Sequence, residues 1–217
     1  MLSIQRLGGL AARLFAELLS PSGCAACDAP VAAHALFCPP CAVSVERSGP
    51  EGGVRLDGHA AFAYGGAIAT AIVRLKYRDR PDLGGRLGRA MAPAARGLRR
   101  PIDLVVPVPL HPRRLAERGY NPAALLAAPV ARMLPAPLVH AALARARDTP
   151  RQATLDREAR LANVAKAFVA GRRSVTGARV LLVDDVETTG ATLAACVSVL
   201  RRAGARGITT LVLARRS

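Results

Sequence analysis

The chain has 217 residues, 51% of them hydrophobic and only 3% aromatic, enough for one large domain or a medium domain with a small appendage around a core of Ala, Leu and Val. Its 31 Lys and Arg against 15 Asp and Glu leave a formal net charge of +16, either a field for polyanions such as nucleic acid or a phosphorylated substrate, or a solvated surface set by codon bias, while four Phe, three Tyr and no Trp leave little for base stacking. No uncharged run reaches the roughly 18 apolar residues of a membrane-spanning helix, and together with a first segment that lacks a continuous secretory h-region this predicts a cytoplasmic chain without a membrane segment.

Leu7, Leu10, Leu14 and Leu18 recur at helical spacing, interrupted by Arg6, Arg13 and Glu17, and predict an amphipathic first helix rather than an export signal. Cys24-Ala-Ala-Cys27 and Cys38-Pro-Pro-Cys41 follow, ten residues apart. Two CxxC pairs are the ligand pattern of a tetrahedral zinc site, here Cys24, Cys27, Cys38 and Cys41, and four thiolates leave the metal no open position, so its role would be structural. Two disulfides are the alternative, disfavoured in a chain with no export signal. Ser48-Gly-Pro-Glu-Gly-Gly53 reads as a linker. It divides the chain into an N-terminal helix and zinc ribbon, 1–53, and an α/β domain, 54–217.

In the second part, Ala60 to Tyr64 reads as a strand, Gly65-Gly66 as a turn, Ala67 to Lys76 as a helix and Gly84 to Arg96 as a second helix. Lys76 and Arg78 are either a solvated helix end or near a substrate. Asp103-Leu-Val-Val-Pro-Val-Pro109 is a strand whose hydrogen-bonded part Pro107 and Pro109 should end. The loop His111 to Asn121 carries Arg113, Arg114 and Arg118, whose forked guanidinium groups suit phosphate oxygens; a surface turn is the competing reading. Arg145 to Thr154, with Arg147 and Gln152, is basic and broken by Pro150. It reads either as a mobile loop that closes over a phosphorylated substrate or as a solvated linker. Asp156 to Phe168 reads as helical, with Leu161, Val164, Ala165 and Phe168 on one face, and Cys196 as core packing.

The most informative stretch is Val180-Leu-Leu-Val-Asp-Asp-Val-Glu-Thr-Thr-Gly-Ala-Thr192. Val180 to Val183 predict a strand buried on both faces, as in a parallel sheet. Asp184 and Asp185 then stand where that strand should end, which is where open α/β sheets bind ligands. Thr188, Thr189, Gly190, Ala191 and Thr192 add hydroxyls, a glycine and the free N–H groups of a helix start, a site for a phosphate dianion. Carboxylates for sugar hydroxyls beside amides for phosphate describe a ribose 5-phosphate. A buried strand whose Asp and Thr residues merely cap a helix is the bland alternative.

These 13 residues resemble the 5-phosphoribosyl-1-pyrophosphate (PRPP) motif of type I phosphoribosyltransferases. The resemblance implies an α/β fold with a mainly parallel sheet flanked by helices, Asp184 and Asp185 on the ribose hydroxyls, residues 188–192 on the 5-phosphate, and Mg²⁺ accompanying PRPP. It also implies pyrophosphate on the loop of Arg113, Arg114 and Arg118. Leu75-Lys-Tyr-Arg78, Val106-Pro-Val-Pro-Leu110, Arg118-Gly-Tyr-Asn121, Arg145 through Gln152 and Arg160-Leu-Ala-Asn163 with Phe168, behind a four-cysteine ribbon, resemble the ComF family of competence proteins over nearly the whole chain. That resemblance implies a PRPP-binding protein linked to DNA uptake in natural transformation, with the acceptor unspecified. The competing function is a non-catalytic protein that keeps the fold and engages single-stranded DNA, or docks a competence helicase through its ribbon. Two positions depart from the family. Glu187 stands where an apolar or aromatic residue is usual and should weaken phosphate binding unless it points to solvent or pairs with an arginine. Pro122 replaces a usual glutamine. Thr188, where hypoxanthine-type enzymes carry a carboxylate, disfavours a 6-oxopurine acceptor.

Overall fold

The computed structural model describes residues 23–48, 58–98, 100–147 and 167–216. The expected N-terminal helix, the linker beyond Ser48, Gln152, the Arg160 to Asn163 motif and the helical stretch up to residue 166 lie outside the described residues.

Four parallel strands form the sheet, in the order β1 (Gly58–Ala63), β6 (Gly207–Arg215), β5 (Arg179–Glu187), β2 (Leu104–Pro107). Residues 137–139 extend it at the free edge of β2, where the Val105 N–H donates to the Pro137 carbonyl at 2.9 Å and the Val139 N–H to the Val105 carbonyl at 2.8 Å. The central strand is apolar without interruption from Val180 to Val183, and all four residues are fully buried, as a strand covered on both faces requires. Strand alternation sends Leu181, Val183, Leu211 and Leu213 into one apolar cluster and Val180, Leu182 and Val212 into the other.

The first cluster is covered by α2 (Gly66–Tyr77), α3 (Asp82–Met91) and α5 (Pro122–Met133), which contribute Ile68, Ile72, Leu75, Leu83, Leu87, Leu126 and Val130. Gly84 and Gly88 let α3 and α5 approach closely: a Cβ on Gly88 would stand 2.6 Å from the Leu126 carbonyl oxygen. On the other face lies α6 (Ala191–Arg202), which presents Leu193, Cys196, Val197 and Leu200, with Gly204 in the left-handed region just past its end. Beside α6 a short antiparallel pair, β3 (Leu143–Arg145) with β4 (Phe168–Ala170), brackets residues 148–166.

Three sequence expectations change. The strand expected to end at Asp184 runs on to Glu187, because β6 continues to pair with it after β2 has stopped opposite Val183. The loop expected after β2 contains a short helix, α4 (Pro112–Arg118). Pro112 opens it at a position where its missing N–H is no loss, the His111 side chain accepts from the Arg113 N–H at 3.3 Å, and Gly119 in the left-handed region closes it. Phe168, expected to end a helix, begins β4 with its side chain buried.

The ribbon is docked on the α2–α3 face. Residues Pro39–Ala42 make one helical turn, α1, between the second pair of cysteines. Ala25 is fully buried in the first cluster, with Leu36, Phe37 and Val45 packed on it. Arg86 of α3 donates to the Gly23 and Ala35 carbonyls at 2.6 and 2.7 Å, and Arg74 of α2 reaches the Ala25 carbonyl at 3.2 Å. Asp28 pairs with Arg74 and, at 2.6 Å, with Arg80.

Candidate functional site

Because β5 outlasts β2, its last residues stand beyond the sheet's carboxyl edge on one side while still held by β6 on the other. Asp184 and Asp185 fall on this overhang. Successive strand residues point to opposite faces, so the two carboxylates leave the backbone in different directions. The Asp185 side chain is mostly buried and accepts from Lys76 Nζ at 2.6 Å. Asp184 Oδ1 accepts from the Asp185 N–H at 2.8 Å. Burial, and then the charge of Asp185, push the Asp184 carboxyl from its ordinary 3.8 up to about 7, against the opposing pull of Lys76 and Arg145.

Beyond the strand, Thr188 and Thr189 are exposed and Gly190 takes φ 74°, a conformation that turns the chain into α6 and that a side chain would strain. The Thr189 hydroxyl oxygen accepts from the Ala191 N–H at 3.4 Å. Asp184, Thr188, Thr189, Gly190, Ala191 and Thr192 line one cleft. Carboxylates, hydroxyls and the amide end of a 12-residue helix thus converge there, a combination able to hold a hydroxylated anion. A roomier hollow of about 300 Å³ between β4 and α6 is lined by Phe168, Val169, Ala170, Val199, Arg202 and Ala203. It has no carboxylate or hydroxyl and lacks the chemistry for a sugar.

Glu187 also lines this cleft, but its charge is compensated. Its side chain is buried and Oε2 accepts from Arg215 Nε at 2.7 Å, on the neighbouring strand position. Its Oε1 lies 3.3 Å from where a Cβ on Gly190 would sit, so the pair lies directly under the loop. Breaking a largely buried pair leaves one charge stranded. Arg215→Ala is expected to cost about 2 kcal/mol and lower Tm by roughly 4 to 8 °C, with Glu187→Gln in the same chain recovering most of it; thermal melts of the three variants check this.

The end of α2 borders the acid pair. Besides Lys76 on Asp185, the Tyr120 hydroxyl donates to the Leu75 carbonyl at 2.6 Å, and Arg118 lies over the Tyr77 ring at 5.3 Å. Sequence reasoning left Lys76 open between a solvated helix end and a substrate neighbour. The available signal was its chemistry, since only two of the 31 cationic side chains are lysine. Of the loop arginines, Arg118 is brought to this rim, whereas Arg113 is exposed and pairs with Glu117 one turn on at 2.9 Å; Arg114 is half-buried on the same helix. Asn121 caps α5, accepting from the Ala123 N–H at 3.1 Å and donating to the Val108 carbonyl at 2.9 Å, and Pro122 occupies the helix's first position. Arg145 lies over Phe168 at 5.4 Å and its charge acts on Asp184, while Arg147 is exposed.

In the ribbon, the sulfur atoms of Cys24, Cys27, Cys38 and Cys41 all lie within 4.8 Å of one another, and none is in a disulfide. A tetrahedral metal–thiolate site places its sulfurs about 3.8 Å apart, and Cys27 and Cys38 stand at 3.6 Å, so the four could hold a metal ion. Against the effect of burial, backbone N–H groups of Cys38, Ala26 and Cys27 pull the Cys24 thiol down to about 6, while contacts with Cys38 and Cys27 push Cys41 up to about 12. Four crowded thiols cannot all ionise unaided; a cation among them would reverse that. Among the described residues this is the only group of three or more potential metal ligands, and no helix is long and apolar enough to cross a membrane.

Comparison with known proteins gives three results. The phosphoribosyl transferase domain family matches residues 121–217. The chain is 34% identical over 158 residues to DNA utilization protein YhgH of Escherichia coli (strain K12), covering 70% of this chain and 69% of that protein. It is 33% identical over 155 residues to competence protein F of Haemophilus influenzae, covering 68% of each. Among solved structures, glutamine phosphoribosylpyrophosphate amidotransferase from B. subtilis superposes with a TM-score of 0.45 at 24% identity, over 64% of this chain and 30% of that one.

Proposed function

This chain belongs to the family of DNA utilization protein YhgH and competence protein F and carries a phosphoribosyl transferase domain, and from that premise we propose that it binds PRPP, or another ligand built on ribose 5-phosphate, at the overhang of β5. The observation that carries this reading is the convergence of Asp184 and the amide-rich turn 188–192 in one cleft at the sheet's carboxyl edge, with Asp185 beside Asp184 on β5.

In this reading Asp184 and Asp185 accept hydrogen bonds from the ribose 2′ and 3′ hydroxyls. The N–H groups of Gly190, Ala191 and Thr192, with the hydroxyls of Thr188, Thr189 and Thr192, donate to the 5-phosphate. Arg118, joined by Arg113 and Arg114 of the same helix, meets the pyrophosphate, and Arg145 and Arg147 approach from the β3–β4 side. Turnover would be pentosyl transfer: the bond from C1′ to pyrophosphate breaks, positive charge grows on the sugar, and the neighbouring carboxylates stabilise it. With no acidic cage for it among the described residues, Mg²⁺ would be held by the ligand's own phosphate oxygens and would neutralise the leaving group. Cys24, Cys27, Cys38 and Cys41 would hold zinc as a structural ion. Calorimetric titration with PRPP and Mg²⁺ tests the reading. Saturable one-to-one binding is expected, and no heat with folded protein would contradict it.

A second reading, contact with single-stranded DNA, is favoured by a different observation. In sequence the arginines are spread along the chain, yet the fold gathers several at the amino-terminal end of the strands, away from the cleft. Arg172 and Arg173 after β4, Arg201 and Arg202 in the last turn of α6, and Arg206 just beyond it are exposed, and the two segments are tied together by Gly177 N–H to Gly204 O at 2.8 Å and Arg206 N–H to Ala178 O at 2.9 Å. Asp103, an acid at this end, is already approached by Arg179 at 3.9 Å. Such a face suits a phosphodiester backbone. Replacing these five exposed arginines with Ala is expected to flatten the dependence of log affinity on log salt by about two to three units for an oligodeoxynucleotide in fluorescence anisotropy, leaving PRPP binding intact. An unchanged slope would contradict this reading alone.

A further inference from the structure

Three consecutive residues at the end of α2 each hold a different part of the site: Leu75 takes the Tyr120 hydroxyl, Lys76 the Asp185 carboxylate, and Tyr77 lies beneath Arg118. The middle contact is an ion pair that is largely shielded from water. The Lys76 and Asp185 side chains are 15% and 12% exposed, and their 2.6 Å hydrogen bond uses Oδ1. Among the described residues Lys76 is the side-chain hydrogen-bond partner of that carboxylate.

Two adjacent carboxylates are a poor place to bring a phosphate dianion. Either a divalent cation or a side-chain cation must offset them. The described residues offer no third acidic ligand to complete a metal cage beside Asp184 and Asp185. Arg215 is committed to Glu187 at 2.7 Å, and Arg145 acts on Asp184 through its charge. The ammonium of Lys76 is in direct contact. It is also a compact point charge, a shape that a guanidinium fork does not reproduce, in a chain where almost every other cation is Arg.

We propose that Lys76 is the positioning residue that makes the acid pair a hydroxyl-binding site: it fixes Asp185 and supplies the positive charge that lets a ribose 5-phosphate group settle there without a divalent cation. This rests on the ribose 5-phosphate reading of the same cleft. It assigns to the lysine a task that would otherwise fall to Mg²⁺. Pyrophosphate recruits its own cation, whereas the sugar end of the ligand needs none.

The test is calorimetric titration with ribose 5-phosphate, using protein that keeps its own bound metal and with Mg²⁺ withheld. The wild-type protein binds. Lys76→Met weakens binding at least about tenfold, Lys76→Arg recovers part of the loss, and adding Mg²⁺ or Mn²⁺ to Lys76→Met restores most of it, since a divalent cation can take the place of the ammonium on Asp185. Lys76→Met with Asp185→Asn removes the stranded charge and guards against a variant that fails to fold: it melts like the wild type and gains nothing from Mg²⁺. Unchanged metal-free binding in Lys76→Met overturns the proposal and leaves the sugar-phosphate site standing. Loss of binding that neither Mg²⁺ nor Mn²⁺ restores overturns it as well, reducing Lys76 to packing. A wild-type protein that binds no ribose 5-phosphate with or without Mg²⁺ overturns the underlying reading.

Discussion

Asparagine at both Asp184 and Asp185 is expected to lower the affinity for PRPP by a hundredfold or more, read by calorimetric titration at pH 8. Each carboxylate is assigned a hydrogen bond from a sugar hydroxyl, and hydrogen bonds to a charged acceptor contribute about 1.5 to 3 kcal/mol apiece, so two removed together reach that factor. Asp184→Asn alone should separate binding from stability. The Asp184 carboxyl ionises at about 7 in the folded protein and at 3.8 ordinarily. Between those values the native state holds a proton that the unfolded chain has released. The stability this group contributes is therefore complete below about pH 4 and is lost as the pH rises to 7. Asparagine keeps the acceptor oxygen for the Asp185 N–H and never ionises, so this variant should melt higher than the wild type at pH 8 and show a smaller advantage at pH 5. A site that is destabilising when empty and required when full is what a preorganised sugar site looks like.

Replacing Cys24 and Cys38 with Ser should remove one equivalent of bound metal and lower Tm by about 10 °C or more. Both side chains are buried, and the apolar residues that join the ribbon to the first cluster are Ala25, Leu36, Phe37 and Val45. Besides the hydrogen bonds of residues 44–48 to α2 and β1, it is held to the rest of the protein by Arg74, Arg80 and Arg86, whose acceptors in the ribbon are held in place by the two cysteine turns. Without a central ion those turns lose their common anchor, and the carbonyls of Gly23 and Ala35 drift from the guanidinium of Arg86. Burial of α2 and α3 suffers in turn, and with it the end of α2 that carries Lys76. Metal content by absorption spectrometry and a thermal melt check the two halves of this expectation. Unaltered Tm after metal loss would show that the ribbon folds on its own packing.

Much of this fold was legible in the residues. The uninterrupted apolar run Val180 to Val183 declared a strand covered on both faces, and Leu193, Cys196, Val197 and Leu200 declared the helix behind it, since both depend on local periodicity. The four cysteines found one another because CxxC spacing is a local geometry. What depends on distant pairing was not legible. Whether β5 stops at Asp184 is decided by β6, which pairs through Glu187, and nothing in the run Asp184 to Glu187 announces that partner. Phe168 sits in a helical pattern by spacing and in a strand because Arg145 lies opposite it. The arginine for Glu187 is 28 positions away, on the adjacent strand, so the sequence posed that charge as a conflict and the fold answers it. Lys76 reaches Asp185 across 109 positions, for the same reason.

The most direct measurement is a crystal structure of the protein with ribose 5-phosphate. The account predicts the phosphate on the N–H groups of residues 190–192, the 2′ and 3′ hydroxyls on Asp184 and Asp185, and Lys76 still on Asp185. Phosphate bound instead among Arg172, Arg173 and Arg201, with the cleft at the end of β5 empty, would contradict it.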